Sequence, residues 1–146
     1  AMMRAAAEGA AEGAASAGLT APPLIVAVTQ LTSTTREMMN EEIGIPGEVA
    51  DTVTRYAMLA KKAGLHGVVA SPLEAAAVKR ACGRGFLTVT PGIRPAGHAA
   101  GDQRRIATPR EAVRAGADFL VVGRPVTAAP DPAAALEQIL KEMTEA

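Results

Sequence analysis

Hydrophobic positions along the chain fall into two kinds of segment. Four short runs rich in β-branched and aliphatic residues occupy 24–28, 67–70, 86–89 and 119–122. None alternates polar with apolar, as a strand with one wet face would, so they read as fully buried parallel strands. Between them lie stretches of helical period. Residues 49–63 place Val49, Val53, Tyr56, Ala57 and Ala60 on one stripe. Three later helices carry explicit start signals. Ser71-Pro72-Leu73-Glu74 and Thr108-Pro109-Arg110-Glu111 have the form of capping boxes with proline at the first helical position, and Asp131-Pro132 uses the same proline device. Gly64, Gly83 and Gly116 stand where those helices should stop.

The pattern is thus one helix followed by four βα units, which implies a parallel sheet joined by crossover helices. Connections entering a strand are brief; those leaving one, at 29–35, 90–107 and 123–130, are longer and hold the polar and special residues. In α/β folds the carboxyl ends of the strands carry the site, so this asymmetry marks the working end. Four units make half of a TIM (β/α)8 barrel, with 1–146 as a single carboxy-terminal half-barrel domain. Left alone, such a sheet would expose its first and last strands as apolar edges. The expectation is completion by a second copy or by an amino-terminal half. The opening Ala-Met-Met-Arg-Ala-Ala-Ala-Glu-Gly, which reads as already helical, points the same way, to a fragment of a larger barrel.

Composition narrows the function. Apolar residues make up 49% of the chain and aromatics only 2%, so small aliphatic side chains must build the core. Fifteen basic and fifteen acidic residues cancel without a basic stripe, which argues against nucleic acid or an anionic membrane as partner. The lone Cys82 cannot form an internal disulfide and favours a reducing cytoplasm. Neither a signal peptide nor a membrane span is legible at the Ala-rich start. His66 and His98 form no metal-ligand cluster with Cys82.

Candidate chemistry gathers after the last two strands. There the chain reads Thr90-Pro91-Gly92-Ile93-Arg94 and Gly123-Arg124-Pro125-Val126-Thr127. Barrels of this architecture often hold phosphate with those loops and the start of a short helix. Gly123 would let a backbone N–H approach an anion, and Arg124 offers a guanidinium fork. An ordinary turn with a solvated arginine is the plain alternative. Residues 95–105 form a Gly-containing loop that either closes over a ligand, with Gln103 reaching inward, or is merely a surface loop. The hydroxyl-rich run Thr29-Gln30-Leu31-Thr32-Ser33 would suit the edge of a base, although helix capping by Thr32, Ser33 or Thr34 explains it as well. The paired Arg104-Arg105 reads as a solvated pair, the alternative being that one of the two neighbours a phosphate.

Val28-Thr29-Gln30-Leu31-Thr32-Ser33, Thr88-Val89-Thr90-Pro91-Gly92-Ile93-Arg94, Asp102-Gln103 and Val122-Gly123-Arg124 share their order and spacing with bacterial orotidine 5′-phosphate decarboxylases. The chain resembles the carboxy-terminal half of that family. The resemblance implies that Thr32 contacts a pyrimidine and that Pro91 lies near it. It also implies that Arg94, Gly123 and Arg124 hold a phosphate and that Gln103 bridges the two. It further implies a nucleotide ligand (orotidine or uridine 5′-phosphate), a homodimer, and no cofactor or metal. One departure is large. The family's Asp-x-Lys-x-x-Asp motif, whose lysine protonates the carbanion left at C6, is absent from these residues; Lys61, Lys62, Lys79 and Lys141 all fall on predicted helices. The chain alone is therefore expected to be inactive. Two alternatives are a non-catalytic half-barrel that pairs with itself and a related sugar-phosphate-binding barrel.

Overall fold

A computed structural model describes residues 1–97 and 104–145. Helix α1 (Met2–Ser16) precedes strand β1 (Val26–Val28), and a π-helical turn (Met38–Glu42) leads into α2 (Val49–Lys62). Then follow β2 (Gly67–Val69), α3 (Pro72–Cys82), β3 (Leu87–Thr90), α4 (Pro109–Arg114) and β4 (Phe119–Leu120), ending in the short α5 (Arg124–Thr127) and α6 (Pro132–Thr144). The four strands pair in parallel in the order β1-β2-β3-β4. A doubly wound sheet reverses its strand order part-way. Here the order never reverses, as in one arc of a barrel.

The pairing register sorts the side chains onto two faces, because neighbours in register point the same way. Ala27, Val68 and Thr88 share one face, which Thr90 and Leu120 continue. Val68, Thr88 and Thr90 are fully buried there. Behind that face the core is closed by Val53, Ala57 and Ala60 of α2, Val78 and Cys82 of α3, and Met39 of the π-helical turn. Val28, Val69, Val89 and Phe119 share the other face. That face is open: Val28 is 62% exposed, Phe119 53% and Val121 50%. The expectation of strands buried on both faces therefore fails on one side. The helix-facing side chains of the central strands are covered, whereas on the face that would line a barrel interior Val28, Phe119 and Val121 at the edges are exposed and Val69 and Val89 between them are half-buried. β1, β2 and β4 are also shorter than their apolar runs, β1 and β4 by two residues each, while β3 keeps its length and is shifted on by one.

The helix signals act as their chemistry requires, with two exceptions. Thr108 and Glu111 form a reciprocal capping box, and the Asp131 side chain accepts from the Ala134 N–H. Gly64, Gly83 and Gly116 end their helices at φ of 87°, 89° and 92°, a region that disfavours residues with a Cβ. At α3, however, the Ser71 hydroxyl caps by accepting from Leu73 N, while the Glu74 carboxylate turns away to an arginine instead of closing a box. After β1 the cap is Thr35, whose hydroxyl accepts from Met38 N, and not one of the three hydroxyl residues before it.

The amino-terminal end of the sheet is a locked floor. Asp118 Oδ2 accepts from Lys79 Nζ at 2.6 Å, from the Thr88 N–H at 2.7 Å and from the Thr88 hydroxyl at 3.0 Å. Lys79 also donates to the carbonyls of Arg84 and Phe86. Burial works to raise the Asp118 carboxyl, but the bonds from Lys79 and Thr88 and the lysine charge outweigh it, and the group lies below its ordinary value. His66 is structural: its Nδ1 accepts from the Ile25 N–H at 3.0 Å, fastening β1 to β2. Cys82 is buried and unpaired. Among the methionines, Met39 is fully buried and Met3 packs against the core, whereas Met2 is 82% exposed.

Candidate functional site

The carboxyl ends of adjacent strands bring three loops side by side. After β1 the chain runs through Thr29, whose hydroxyl donates to Val69 O at 2.8 Å, to Gln30 and Thr32, both buried. After β3 it turns at Gly92, where φ is 84°. Glycine is required there by space as well as by backbone conformation. A Cβ on Gly92 would lie 3.0 Å from Arg105 O and 3.3 Å from Thr32 Cγ2. Thr32 of the first loop, Gly92 of the third, and Arg105 beyond it thus touch at one point.

The returning end of the β3 loop is pinned to this point by the backbone. Arg94 N donates to Ala107 O at 2.9 Å, Ala107 N to Gly92 O at 3.3 Å, and Ile93 and Ala107 form a parallel bridge. Arg104 N and Arg105 N both donate to Thr32 O at 3.2 Å. Arg94 itself is 8% exposed, and its Nη1 donates to the Ile93 carbonyl at 2.7 Å. Pro91 is half-buried beside the fully buried Ile93.

Strand β4 lies next to β3, with Val89 opposite Phe119 and Thr90 opposite Leu120. Gly123 and Arg124 follow Leu120 as Ile93 and Arg94 follow Thr90, so both pairs leave the same rim. Gly123 has open space where a Cβ would be, and its carbonyl accepts from Val126 N and Thr127 N to start α5. Arg124 opens that helical turn with an exposed side chain, and Pro125 follows it at the second position. Of the site residues read from the sequence, Thr32, Pro91, Arg94, Gly123 and Arg124 therefore share one end of the sheet. Gln103, together with Asp102 and His98, lies outside the described residues.

Sequence reasoning missed the residue that organises this end. Arg105 is not a solvated arginine. Its Nη1 meets Glu74 Oε1 at 2.6 Å, with side-chain exposures of 12% and 5%, and its Nη2 donates to the carbonyls of Leu31 and Gln30. Burial pushes the Glu74 carboxyl up, while the Arg105 charge and its hydrogen bond pull it back. No local signal announces this pair, since its members stand 31 positions apart.

Two clefts, of about 560 and 620 Å³, lie at the opposite end of the sheet, around Lys79–Asp118 and around His66 and Cys82. They contain none of the residues above. Among the described residues, no group of three or more His, Cys, Asp or Glu side chains stands ready to hold a metal.

This rim geometry, glycine and arginine on two successive strand ends with a threonine-bearing loop beside them, accompanies a matching sequence profile. Residues 1–139 match the profile of the orotidine 5′-phosphate decarboxylase / HUMPS family. The chain belongs to that family. It is 55% identical over 143 residues to an orotidine 5′-phosphate decarboxylase of Moorella thermoacetica, covering 98% of this chain and 56% of the relative. It is 48% identical over 144 residues to that of Heliobacterium modesticaldum, covering 99% and 59%. Among solved structures, the orotidine 5′-phosphate decarboxylase of Lactobacillus acidophilus superimposes with a TM-score of 0.76 at 38% identity, over 97% of this chain and 58% of that one. An uncharacterized conserved protein from Geobacillus kaustophilus gives 0.74 at 40%, again over 97% and 58%. The chain thus spans little more than half the length of these family members. That share agrees with a half-barrel whose inner face is bare. Among the described residues no helix is long and apolar enough to cross a membrane.

Proposed function

We propose that this chain is the nucleotide-binding half of an orotidine 5′-phosphate decarboxylase, the enzyme type that converts orotidine 5′-phosphate to uridine 5′-phosphate and carbon dioxide. The observation that carries the reading is the common rim. Arg94 follows β3, Gly123-Arg124 follow the adjacent β4, and Thr32 touches Gly92 between them and β1. In this reading Arg94, Arg124 and the Gly123 N–H take the phosphate dianion, through charge-assisted bonds that a neutral ligand cannot make. Thr32 and Pro91 face the pyrimidine, and Gln103 links base to phosphate. The grip on a phosphate remote from the reacting carbon supplies binding energy that helps at the base.

The 146 residues contain no Asp-x-Lys-x-x-Asp, and their four lysines lie on α2, α3 and α6, not at strand ends facing the site. The proton donor for C6 must then come from an amino-terminal half, which would also cover Val28, Phe119 and Val121. A complete barrel of this kind would work in the cytoplasm as a homodimer, with no cofactor. The open inner face equally suits a half-barrel that pairs with a second copy of itself, and that remains the second reading.

The test is ligand discrimination in the complete barrel carrying this chain. Arg124→Ala should weaken uridine 5′-phosphate binding by roughly tenfold or more, the loss of a charge-assisted bond of about 1.5–3 kcal/mol, and leave uridine binding unchanged. Equal losses for both ligands would refute the phosphate role.

A further inference from the structure

Arg105 joins the three loops of the rim through both its backbone and its side chain. Its guanidinium holds the first loop by two carbonyls, Leu31 O at 2.8 Å and Gln30 O at 3.2 Å. Its N–H holds the same loop by Thr32 O at 3.2 Å. Its carbonyl accepts from the Ser71 hydroxyl at 3.0 Å, fixing it to the loop after β2. The third loop closes on it through Gly92, whose missing Cβ leaves just enough room for Arg105 O and Thr32.

Glu74 explains why the guanidinium stays there. The carboxylate sits in the first turn of α3, is 4% exposed, and takes Arg105 Nη1 at 2.6 Å. Burying two charges is costly, and the bond is made through one oxygen only: Glu74 Oε2 and Arg105 Nε have no hydrogen-bond partner among the described residues. Apolar pairs of similar volume often fill such a space at no loss of stability. Such a pair could not, however, take hold of two backbone carbonyls on the neighbouring loop. The arrangement is therefore better accounted for by where it holds Thr32 than by what it adds to stability.

We infer that Glu74 and Arg105 are positioning residues that set the placement of Thr32 against Gly92, and so govern recognition of the base rather than of the phosphate. The inference rests on the nucleotide reading above. Neither residue touches ligand in this scheme. Arg94 is tied to the returning segment at Ala107 by backbone bonds that neither side chain of the pair makes, and Gly123-Arg124 follow β4.

The experiment compares dissociation constants for uridine 5′-phosphate and ribose 5-phosphate in the complete barrel carrying this chain. Glu74→Gln and Arg105→Lys should each weaken uridine 5′-phosphate by on the order of tenfold, as sub-ångström to ångström misplacement of a contact does, and leave ribose 5-phosphate unchanged. Lysine should fail to rescue because its compact ammonium cannot span a carboxylate and two carbonyls at once. The double variant E74L/R105M guards against simple unfolding, since apolar replacement of a buried pair is often tolerated. It should melt near the wild type and still lose its preference for the nucleotide bearing a base. Equal losses for both ligands, or normal uridine 5′-phosphate binding by the folded double variant, would overturn the inference. A wild-type barrel that does not prefer uridine 5′-phosphate to ribose 5-phosphate would instead overturn the nucleotide reading, and the inference with it.

Discussion

Gly92→Ala tests the contact point of the site with a single carbon. Gly92 has φ of 84°, and an added Cβ would stand 3.0 Å from a backbone carbonyl and 3.3 Å from Thr32 Cγ2. Two costs follow. Holding an alanine at positive φ costs about 1–2 kcal/mol. The contacts are shorter than ordinary van der Waals separation, so Thr32 and Arg105 must yield by a few tenths of an ångström. Crowding in a packed site adds about 1–3 kcal/mol. Gly64 provides the control: its φ is 87°, yet a Cβ there meets nothing within 4 Å. Gly64→Ala should therefore show the backbone cost alone. Urea unfolding of the two variants should differ by about 1–3 kcal/mol, with Gly92→Ala the weaker. Isothermal titration with uridine 5′-phosphate should show reduced affinity in the complete barrel only for Gly92→Ala. Two variants alike in stability and affinity would refute the argument that Thr32 is seated against Gly92.

Two further outcomes follow from the fold. Asp118 lies below its ordinary value, so its contribution is present above about pH 4, where the unfolded aspartate is ionised, and is lost as the pH falls through the depressed native value. Asp118→Asn should remove that part of the acid dependence; acid unfolding curves of identical shape in both proteins would contradict the Lys79–Asp118–Thr88 lock. The bare inner face should bind a hydrophobic dye in the chain alone and lose that binding when an amino-terminal half is added, because Val28, Phe119 and Val121 then become covered. Unchanged dye fluorescence would show that the covering surface is elsewhere.

What could be read from the sequence, and what could not, divides by range. The helix starts at Thr108 and Asp131 and the stops at Gly64, Gly83 and Gly116 are local chemistry, and each appears where its residues require. The parallel order follows from strand–helix alternation alone. The rim placement of Arg94 and Gly123-Arg124 follows from it too, since both lie just past strand ends. Burial did not follow. Apolar runs in β1 and β4 match a barrel interior, yet among the described residues Val28, Phe119 and Val121 stay exposed. Nor did the role of Glu74 follow: its spacing from Ser71 spells a capping box, but a long-range arginine takes the carboxylate. Arg105 was misread for the same reason. Two adjacent arginines look solvated until a carboxylate 31 positions away is brought beneath one of them.

The central claim is that these residues grip the nucleotide while the proton donor lies in another segment. Turnover of orotidine 5′-phosphate by the chain alone, compared with the chain joined to an amino-terminal half bearing Asp-x-Lys-x-x-Asp, tests it most directly. Carbon dioxide release should appear only in the joined protein. Release by the 146 residues on their own would contradict the account.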